Sequence, residues 1–167
     1  LGVLDTLSRA HEFKEIRDES PLVTVTLHRM LLAVLHRAFD GPKKPADWAK
    51  LWNDGNGSFD GSRLEAYLRR KDIHPRFDLF HPTHPFYQTG ALPLGEPDKK
   101  NGGRPKFVKP IWQMAHELAY SDPKHLFAHF HDGDWETRPA AEAARWLVAF
   151  QAFALGGLIT TEEGKKA

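Results

Sequence analysis

Cysteine is absent from the 167-residue sequence, which excludes disulfide bonds and metal sites built from thiolates. This absence fits a reducing compartment. No apolar run is long enough and free enough of charge to cross a bilayer, and no internal repeat is present. The formal net charge is only +1, so a surface that binds nucleic acid would have to be a local cluster of basic residues.

The strongest pattern that the sequence does contain is a helix from Ser20 to Phe39. Ser20 is a helix-capping residue, the proline after it suits the first helical position, and Gly41 followed by Pro42 ends the pattern. Apolar residues recur every three to four positions, so we expect a buried helix about which the other elements pack. The residues that widen this apolar stripe are Leu22, Val25, Leu32 and Phe39.

Weaker helical patterns lie on both sides of this central helix. A short helix carries Leu4 and Leu7, Pro45 opens a helix with two tryptophans on one side, and Pro110 begins another. The last helix runs from Pro139 to Leu155, and its predicted core face consists of Ala143, Trp146, Leu147, Phe150 and Phe153. We therefore expect one mainly α domain with a few short strands, its helices packed around the central helix.

The loop NDGNGSFDG, residues 53–61, has the residue types of a calcium loop. Counted from Asp54, oxygen-bearing side chains follow the EF-hand order, but Phe59 stands where the sharp turn needs glycine. The alternative is a helix start, in which Asp60 caps the next helix and Phe59 packs on Leu64. The residue pattern favours the helix start.

The segment RFDLFHPTHPFYQ, residues 76–88, is rich in aromatic residues. Pro82 and Pro85 force the residues before them, His81 and His84, into extended conformations, which predicts an ordered irregular segment. These histidines could bind a metal, but turn-forming roles are favoured because no third ligand lies nearby in the sequence. The residues expected to cover the helical core are Phe77, Leu79, Phe80, Phe86 and Tyr87.

A basic loop, DKKNGGRPKFVKP (residues 98–110), concentrates positive charge around a pair of glycines. Its cations could follow a phosphate backbone, and each contact would release counterions. The alternative is an ordinary solvated loop. The basic residues are Lys99, Lys100, Arg104, Lys106 and Lys109.

A second loop, KHLFAHFHDGDW (residues 124–135), combines histidines, aromatics and carboxylates. Its possible ligands suit zinc or manganese, which would support a metal-dependent hydrolase whose ion activates water. The same side chains could instead stack on bases and reach base edges, or form a structural turn. The possible metal ligands are His125, His129, His131, Asp132 and Asp134. The residues alone leave these three alternatives open.

Three separated blocks together resemble one known family. They are RAHEFKEIRDESPLVTVTLHRMLLAVLHRAF (residues 9–39), RFDLFHPTHPFYQ (residues 76–88) and PAAEAARWLVAFQAFALGG (residues 139–157). In this order they are similar to the N-terminal part of CasA (Cse family), the large subunit of the type I-E CRISPR Cascade complex. The resemblance implies that residues 1–167 are a fragment of the N-terminal domain, α+β when complete, of a larger protein whose C-terminal helical bundle is absent from this sequence.

The resemblance implies a non-catalytic, cytoplasmic subunit of an RNA-guided antiviral complex, with no cofactor and no membrane contact. Base pairing with the guide RNA reads the target double-stranded DNA, while this subunit recognises the short protospacer-adjacent motif. The subunit also helps recruit the helicase-nuclease. Its further implied partners are the other Cascade subunits.

The family places a nucleic-acid-contacting loop just before the last helix, which corresponds here to Ser121 to Arg138. By this carry-over, the contact falls on Phe127, Ala128 and His129. We expect Phe127 to stack or wedge against nucleic acid and His129 to form a hydrogen bond beside it. Phosphate contacts are expected from Lys124, Lys100, Arg104 and Lys106. A loop that only supports assembly would instead give the chain a scaffold role.

Overall fold

The structure is a computed structural model that describes residues 2–90, 95–99, 103–105, 108, 111–114 and 137–153. Most of these residues are helical, which confirms the mainly α prediction. The helices are α1 (Val3–Ser8), α2 (Pro21–Ala38), α3 (Pro45–Asp54), α4 (Gly61–Leu68) and α5 (Ala140–Phe153). Turns of 3-10 helix lie at Ala10–Glu12, His74–Phe77 and Ile111–Met114, and β1 (Pro97–Asp98) pairs antiparallel with β2 (Arg104–Pro105). Within these ranges, no helix is long and apolar enough to span a membrane.

Helix α2 begins and ends where the sequence predicts. The Ser20 hydroxyl accepts a hydrogen bond from the Val23 amide (3.2 Å), and the proline after Ser20 lies in the first turn. Beyond the helix, Asp40 and Gly41 adopt positive φ angles of 58° and 62°. This left-handed pair turns the chain out of the helix, and glycine adopts such a conformation without a steric penalty.

A side chain from α4 holds the C-terminal end of α2. The Arg63 Nε donates a hydrogen bond to the Ala38 carbonyl (2.9 Å), and Nη2 pairs with Asp40 Oδ2 (2.5 Å). The Arg63 guanidinium also lies 5.0 Å from the centre of the Phe39 ring. Arg63 therefore satisfies a carbonyl that the helix end leaves open, and it ties α4 to α2.

Only one face of α2 is buried. Its buried residues are Val23, Thr26, Leu31, Val34, Leu35 and Ala38. Val25 is 51% exposed and Leu32 is 47% exposed, so the prediction that they widen the buried arc is wrong, because α4 and α5 contact α2 on its buried face. Phe39 is buried as predicted. The buried Thr26 hydroxyl donates to carbonyls three and four residues earlier (2.9 and 3.0 Å), which satisfies it within the helix.

A cluster of buried apolar residues joins α1, α2 and α4. Its members are Leu7, Leu31, Val34, Leu35, Ala38, Phe39 and Leu64. Leu64 is fully buried, and Phe59 packs against the cluster from the preceding loop. Asp60 Oδ1 accepts hydrogen bonds from the amides of Ser62 (2.9 Å) and Arg63 (3.2 Å), which confirms the helix start predicted for this loop.

Helix α3 lies against this cluster through Trp48 and Leu51, which are half-buried. The Trp48 ring meets the His36 ring edge-on with 4.9 Å between centroids, and Trp52 meets Phe59 at 5.1 Å. At the start of α3, Asp47 Oδ2 accepts a hydrogen bond from the Lys44 amide (3.0 Å). The aromatic spacing predicted from the sequence therefore produces a covering layer on α2.

Helix α5 packs along α2 and completes the core. Its buried residues are Ala143, Leu147, Val148 and Ala149. Phe150 is 37% exposed, so its assignment to the core face is wrong, whereas Ala143 and Leu147 lie there as predicted. The packed face is rotated toward smaller side chains than the sequence pattern indicates, and small side chains allow two helix axes to approach closely.

Residues 76–88 form the ordered irregular segment that the sequence predicts. The Asp78 carbonyl accepts a hydrogen bond from the Phe86 amide (2.9 Å), which closes the segment into a loop. The His81 Nδ1 accepts hydrogen bonds from amides two and three residues later (3.3 and 3.0 Å), so its turn-forming role is confirmed. These bonds satisfy the backbone without a regular strand or helix.

The aromatic residues of this segment divide between core and surface. Phe77 and Phe86 stack with 5.9 Å between ring centroids, in line with the predicted covering role. Phe80 is 78% exposed and Tyr87 is 43% exposed, so the prediction that these two cover the core is wrong. The closed loop directs them outward, and the sequence pattern contained no information on this geometry.

Candidate nucleic-acid interface

The described end of the loop predicted to contact nucleic acid leads into α5. Residues 137–139 run directly into the first turn of that helix, and the 3-10 turn Ile111–Met114, which precedes the loop in the chain, also contacts α5. Of the helix predicted from Pro110, the described part is this 3-10 turn, and residues 115–136 lie outside the described ranges. The position of α5 therefore fixes residues 137 and 138, the described end of the loop.

The start of α5 is fixed by contacts of its own first turns. The Arg138 guanidinium lies 5.4 Å from the Trp146 ring, and Arg138 Nη1 is 3.8 Å from Glu142 Oε1. The carbonyl of Pro139 accepts hydrogen bonds from the amides of Glu142 and Ala143, both at 3.0 Å. Because Arg138 is the last residue of the predicted loop, these contacts fix the point where the loop joins the helix.

An ion pair joins α5 to the entrance of α2. Arg145 Nε donates a hydrogen bond to Asp18 Oδ2 (2.8 Å), and the Asp18 side chain is only 17% exposed. The other oxygen of Asp18 accepts from the Ser20 amide (3.1 Å), and the Asp18 amide donates to the Thr24 hydroxyl (2.9 Å). Asp18 therefore connects the N-terminal cap of α2 to the helix that carries the loop.

The residues predicted to touch nucleic acid fall almost entirely outside the described ranges. These residues are Lys100, Lys106, Lys124, Phe127, Ala128 and His129. Arg104 belongs to β2, where its backbone pairs with Asp98, and the amide of Gly103 donates to the Asp98 carbonyl (2.9 Å). The centre of the predicted basic loop is thus a short hairpin at the positions described.

The metal alternative concerns the same undescribed loop. His125, His129, His131, Asp132 and Asp134 lie outside the described ranges. Among the residues that are described, no group of three histidine, aspartate or glutamate side chains is arranged to hold a metal ion. In the loop at residues 53–61, the Asp60 carboxylate is engaged as the cap of α4.

Among the described residues, the side chains with shifted pKa values belong to two exposed ion pairs. The hydrogen bond from Arg9 lowers the pKa of Glu12, and the hydrogen bond from Arg70 lowers the pKa of Asp72. The same pairings raise the pKa values of the two arginines. The carboxylates are therefore ionised at neutral pH, which suits surface ion pairs and does not suit a general acid.

Sequence reasoning missed the side-chain contacts that tie the helices to one another. Asp18 and Arg145 are 127 positions apart, so no local spacing connects them. Arg63 reads as an ordinary surface arginine of α4, although it holds the end of α2. Neither pairing can be predicted from the sequence alone, because charged residues occur throughout it and only the tertiary structure shows which of them meet.

Comparison with known proteins gives a consistent result. The family model for CRISPR-associated protein Cse1 matches residues 1–166. CRISPR-associated protein CasA/Cse1 of Thermus thermophilus is 40% identical over 159 residues, which cover 95% of this chain and 29% of the relative. The chain thus spans less than a third of the length of this curated relative.

Solved structures of the same family share the fold. A crystal structure of Thermus thermophilus CasA matches with a TM-score of 0.67 and 37% identity, covering 100% of this chain and 29% of that one. The crystal structure of Thermobifida fusca Cse1 matches with a TM-score of 0.62 and 28% identity, covering 89% of this chain and 25% of that one. The sequence and fold comparisons agree, and the chain belongs to the CRISPR-associated Cse1 (CasA) family.

Proposed function

We propose that the chain is part of the large subunit of a CRISPR Cascade complex, an RNA-guided antiviral assembly that surveys DNA. In this role it contributes to recognition of the protospacer-adjacent motif, to target DNA binding and to recruitment of the helicase-nuclease. Its partners are the guide RNA, the target duplex and the other Cascade subunits, in the cytoplasm. The observation that carries the proposal is membership of the Cse1 family over residues 1–166.

The geometry at the base of the loop supports a contact role for residues 121–138. The described end of this region leads into α5, and the Arg145–Asp18 pair ties α5 to the capped end of α2. A contact residue on a loop needs such support, because a loop that moves freely loses part of its binding energy to ordering. The helix into which the region leads is therefore itself tied to the core of the fold, which supports the proposed contact role.

The division of labour follows from what each component can read. Base pairing with the guide supplies sequence specificity along the whole target, whereas a protein surface reads a few base edges or the shape of the duplex. Phe127 stacks or wedges at the contact and His129 forms a hydrogen bond, with Ala128 between them. Phosphate contacts come from Lys124, Lys100, Arg104 and Lys106.

We propose further that the subunit catalyses no reaction and that residues 1–167 belong to the N-terminal domain of a larger protein. The span of 29% of the Thermus relative supports the second statement. The alternative to the first statement is the metal-dependent hydrolase built on His125, His129, His131 and Asp132. Metal content of the purified protein tests that alternative directly, since a hydrolase requires stoichiometric zinc or manganese.

The test is equilibrium binding of the assembled complex to target duplexes with correct and scrambled adjacent motifs. The variants are Phe127→Ala and, as a matched control, Phe80→Ala, whose side chain is 78% exposed in a different segment. Loss of a stacking aromatic weakens binding about five- to hundred-fold, so we expect a loss of this size for Phe127→Ala with the correct motif. The control should bind as the wild type does.

The outcomes separate the alternatives for this loop. An intact complex with weaker binding and poorer motif discrimination supports the contact role. Failure of Phe127→Ala to assemble, with motif preference retained in the fraction that does assemble, would favour a scaffold role. Unchanged affinity and unchanged discrimination would contradict the role assigned to Phe127.

A further inference from the structure

A cavity of about 680 Å³ opens between α2, the 3-10 turn His74–Phe77 and the second half of the irregular segment. Arg37 of α2 and Arg76 of the 3-10 turn contribute cations from two different elements. The polar and aromatic lining includes His84, Tyr87 and Gln88. The cavity belongs to the segment RFDLFHPTHPFYQ, to which the proposed function assigns no role.

The charged residues among the described lining of this cavity are arginines, and this lining contains neither aspartate nor glutamate. The Asp72 carboxylate lies outside the lining, and its pKa is lowered by the hydrogen bond from Arg70 and, to a smaller extent, by the charge of Arg76. Within the described part, the side chain of Arg37 forms no ion pair or hydrogen bond. The Arg76 Nε donates a hydrogen bond to the Asp72 carbonyl (3.0 Å). That bond uses one of the five N–H donors of Arg76. Two guanidinium groups at a concave surface attract an anion, and phosphate matches their planar donor pattern.

Tyr87 gives the same cavity an aromatic surface. Its side chain is 43% exposed, and its ring meets Phe86 at 4.8 Å, while Phe86 stacks on Phe77. Tyr87 has a φ of 54°, in the left-handed region that residues other than glycine rarely adopt. The backbone thus holds a large aromatic residue at the cavity in a conformation that the surrounding contacts must impose.

These surrounding contacts make the rim of the cavity rigid. Gln88 Nε2 donates to the Leu79 carbonyl (3.0 Å), which ties the rim back to the start of the segment. At Gly90, an added Cβ would lie 2.6 Å from the Thr83 carbonyl oxygen, so the two ends of the rim are in close backbone contact. A rigid rim lowers the ordering cost of binding a ligand.

We propose that this cavity binds a nucleotide of single-stranded nucleic acid, with Tyr87 as the stacking surface for the base and Arg37 and Arg76 as partners of the phosphate. Aromatic faces combined with arginines are the usual means of holding a single strand without reading its sequence. The site deepens the proposed function, on which it rests for the presence of nucleic acid, but it uses none of the residues assigned to the loop. The strand is either RNA or DNA, since both present the same phosphate and base face.

The test is fluorescence anisotropy of labelled oligonucleotides, RNA and DNA, about 12 nucleotides long, titrated with the full-length protein. Tyr87→Leu removes the stacking face and should weaken binding about five- to hundred-fold. The double variant Arg37→Gln/Arg76→Gln should reduce the slope of log affinity against log salt by about 0.7, because the two arginines hold one phosphate and each neutralised phosphate of a single strand contributes about 0.7. The oligonucleotide that responds more strongly identifies the strand.

Matched controls keep the assignment specific. Phe80→Leu removes an exposed aromatic of the same segment outside the cavity, and Arg17→Gln/Arg69→Gln removes the same charge from exposed positions outside it. Control variants that bind as the wild type does support the site. If Tyr87→Leu does not fold, the double arginine variant decides, because Arg37 has no described bond on which folding depends.

Two results would overturn the site. Unchanged affinity and salt dependence in both cavity variants would do so, and so would equal losses in cavity and control variants, which would indicate a diffuse basic surface. In either case the motif test with Phe127→Ala stands separately. A loss of discrimination there, without any effect of the cavity variants, leaves the proposed function in place and removes only this site.

Discussion

Removal of the Leu64 side chain beyond its Cβ tests the core of the fold against a control within the same chain. Leu64 on α4 is fully buried among the residues that join α1, α2 and α4. Leu32 on α2 is the same residue type but is 47% exposed. The substitutions Leu64→Ala and Leu32→Ala therefore remove the same atoms from two different environments, and the difference between them reports burial alone.

The expected magnitudes follow from this difference. Leu→Ala removes three carbon atoms, which corresponds to about 2.4 kcal/mol of lost transfer free energy at about 0.8 kcal/mol each. The unfilled cavity adds to this, so Leu64→Ala should lower the free energy of unfolding by about 3–4 kcal/mol. Leu32→Ala should change it by less than about 1 kcal/mol, since exposed leucine gains little from its position and alanine favours a helix.

Urea unfolding followed by far-UV circular dichroism measures both values. In thermal melts, Leu64→Ala should lower Tm by about 6–16 °C at about 2–4 °C per kcal/mol. A loss for Leu32→Ala as large as that for Leu64→Ala would refute the reasoning, because it would mean that the outer face of α2 is covered in the folded protein. A small loss for Leu64→Ala would contradict the cluster that joins the three helices.

Three further predictions concern contacts around this core. In a double-mutant cycle with Asp18→Asn and Arg145→Gln, we expect a coupling free energy of about 1 kcal/mol, since the pair is partly buried, and additive single effects would contradict the tie between α5 and α2. Gly90→Ala should lower the free energy of unfolding by about 1–3 kcal/mol, because its Cβ would meet backbone 2.6 Å away, and an unchanged urea midpoint would contradict that close approach. By NMR titration, the pKa of Asp72 should lie below the ordinary value of 3.8 and rise toward it in Arg70→Gln. The stabilisation from this pair is present above the unfolded-state pKa and is lost as the pH falls through the folded-state pKa. An Asp72 titration that Arg70→Gln leaves unchanged would contradict the pairing.

The sequence predicted those features that depend on neighbouring residues. The caps at Ser20 and Asp60 and the turn at His81 were recognisable because each side chain bonds to backbone within three residues. The helical periods of α2 and α5 were visible for the same reason. Local hydrogen bonding and local spacing act in any fold, so they can be read before the fold is known.

The features that were missed depend on what lies across the fold. Val25 fits the apolar stripe of α2, and Phe150 fits that of α5. The neighbouring helices cover only part of each stripe, so both residues are exposed. The reverse holds for Thr26, a polar residue that is buried because its hydroxyl bonds within α2. The pairing of Asp18 with Arg145 spans most of the chain, and periodicity contains no information on such a contact.

The candidate site was predictable only through resemblance to a family. The composition of the loop at residues 124–135 allowed a metal site, a nucleic-acid contact or a structural turn, and no spacing decided among them. The cavity at Arg37, Arg76 and Tyr87 was not predictable in the same way, because its residues come from separate elements and converge only in the folded chain. Chemical roles that arise from convergence require the tertiary structure.

The most direct test of the central claim is motif discrimination by the complex assembled with and without this subunit. The ratio of affinities for target duplexes with correct and scrambled adjacent motifs is measured for both assemblies. If the subunit recognises the motif, the ratio falls to about one when the subunit is omitted and recovers when purified subunit is added back. A ratio that stays unchanged without the subunit would contradict the proposed function.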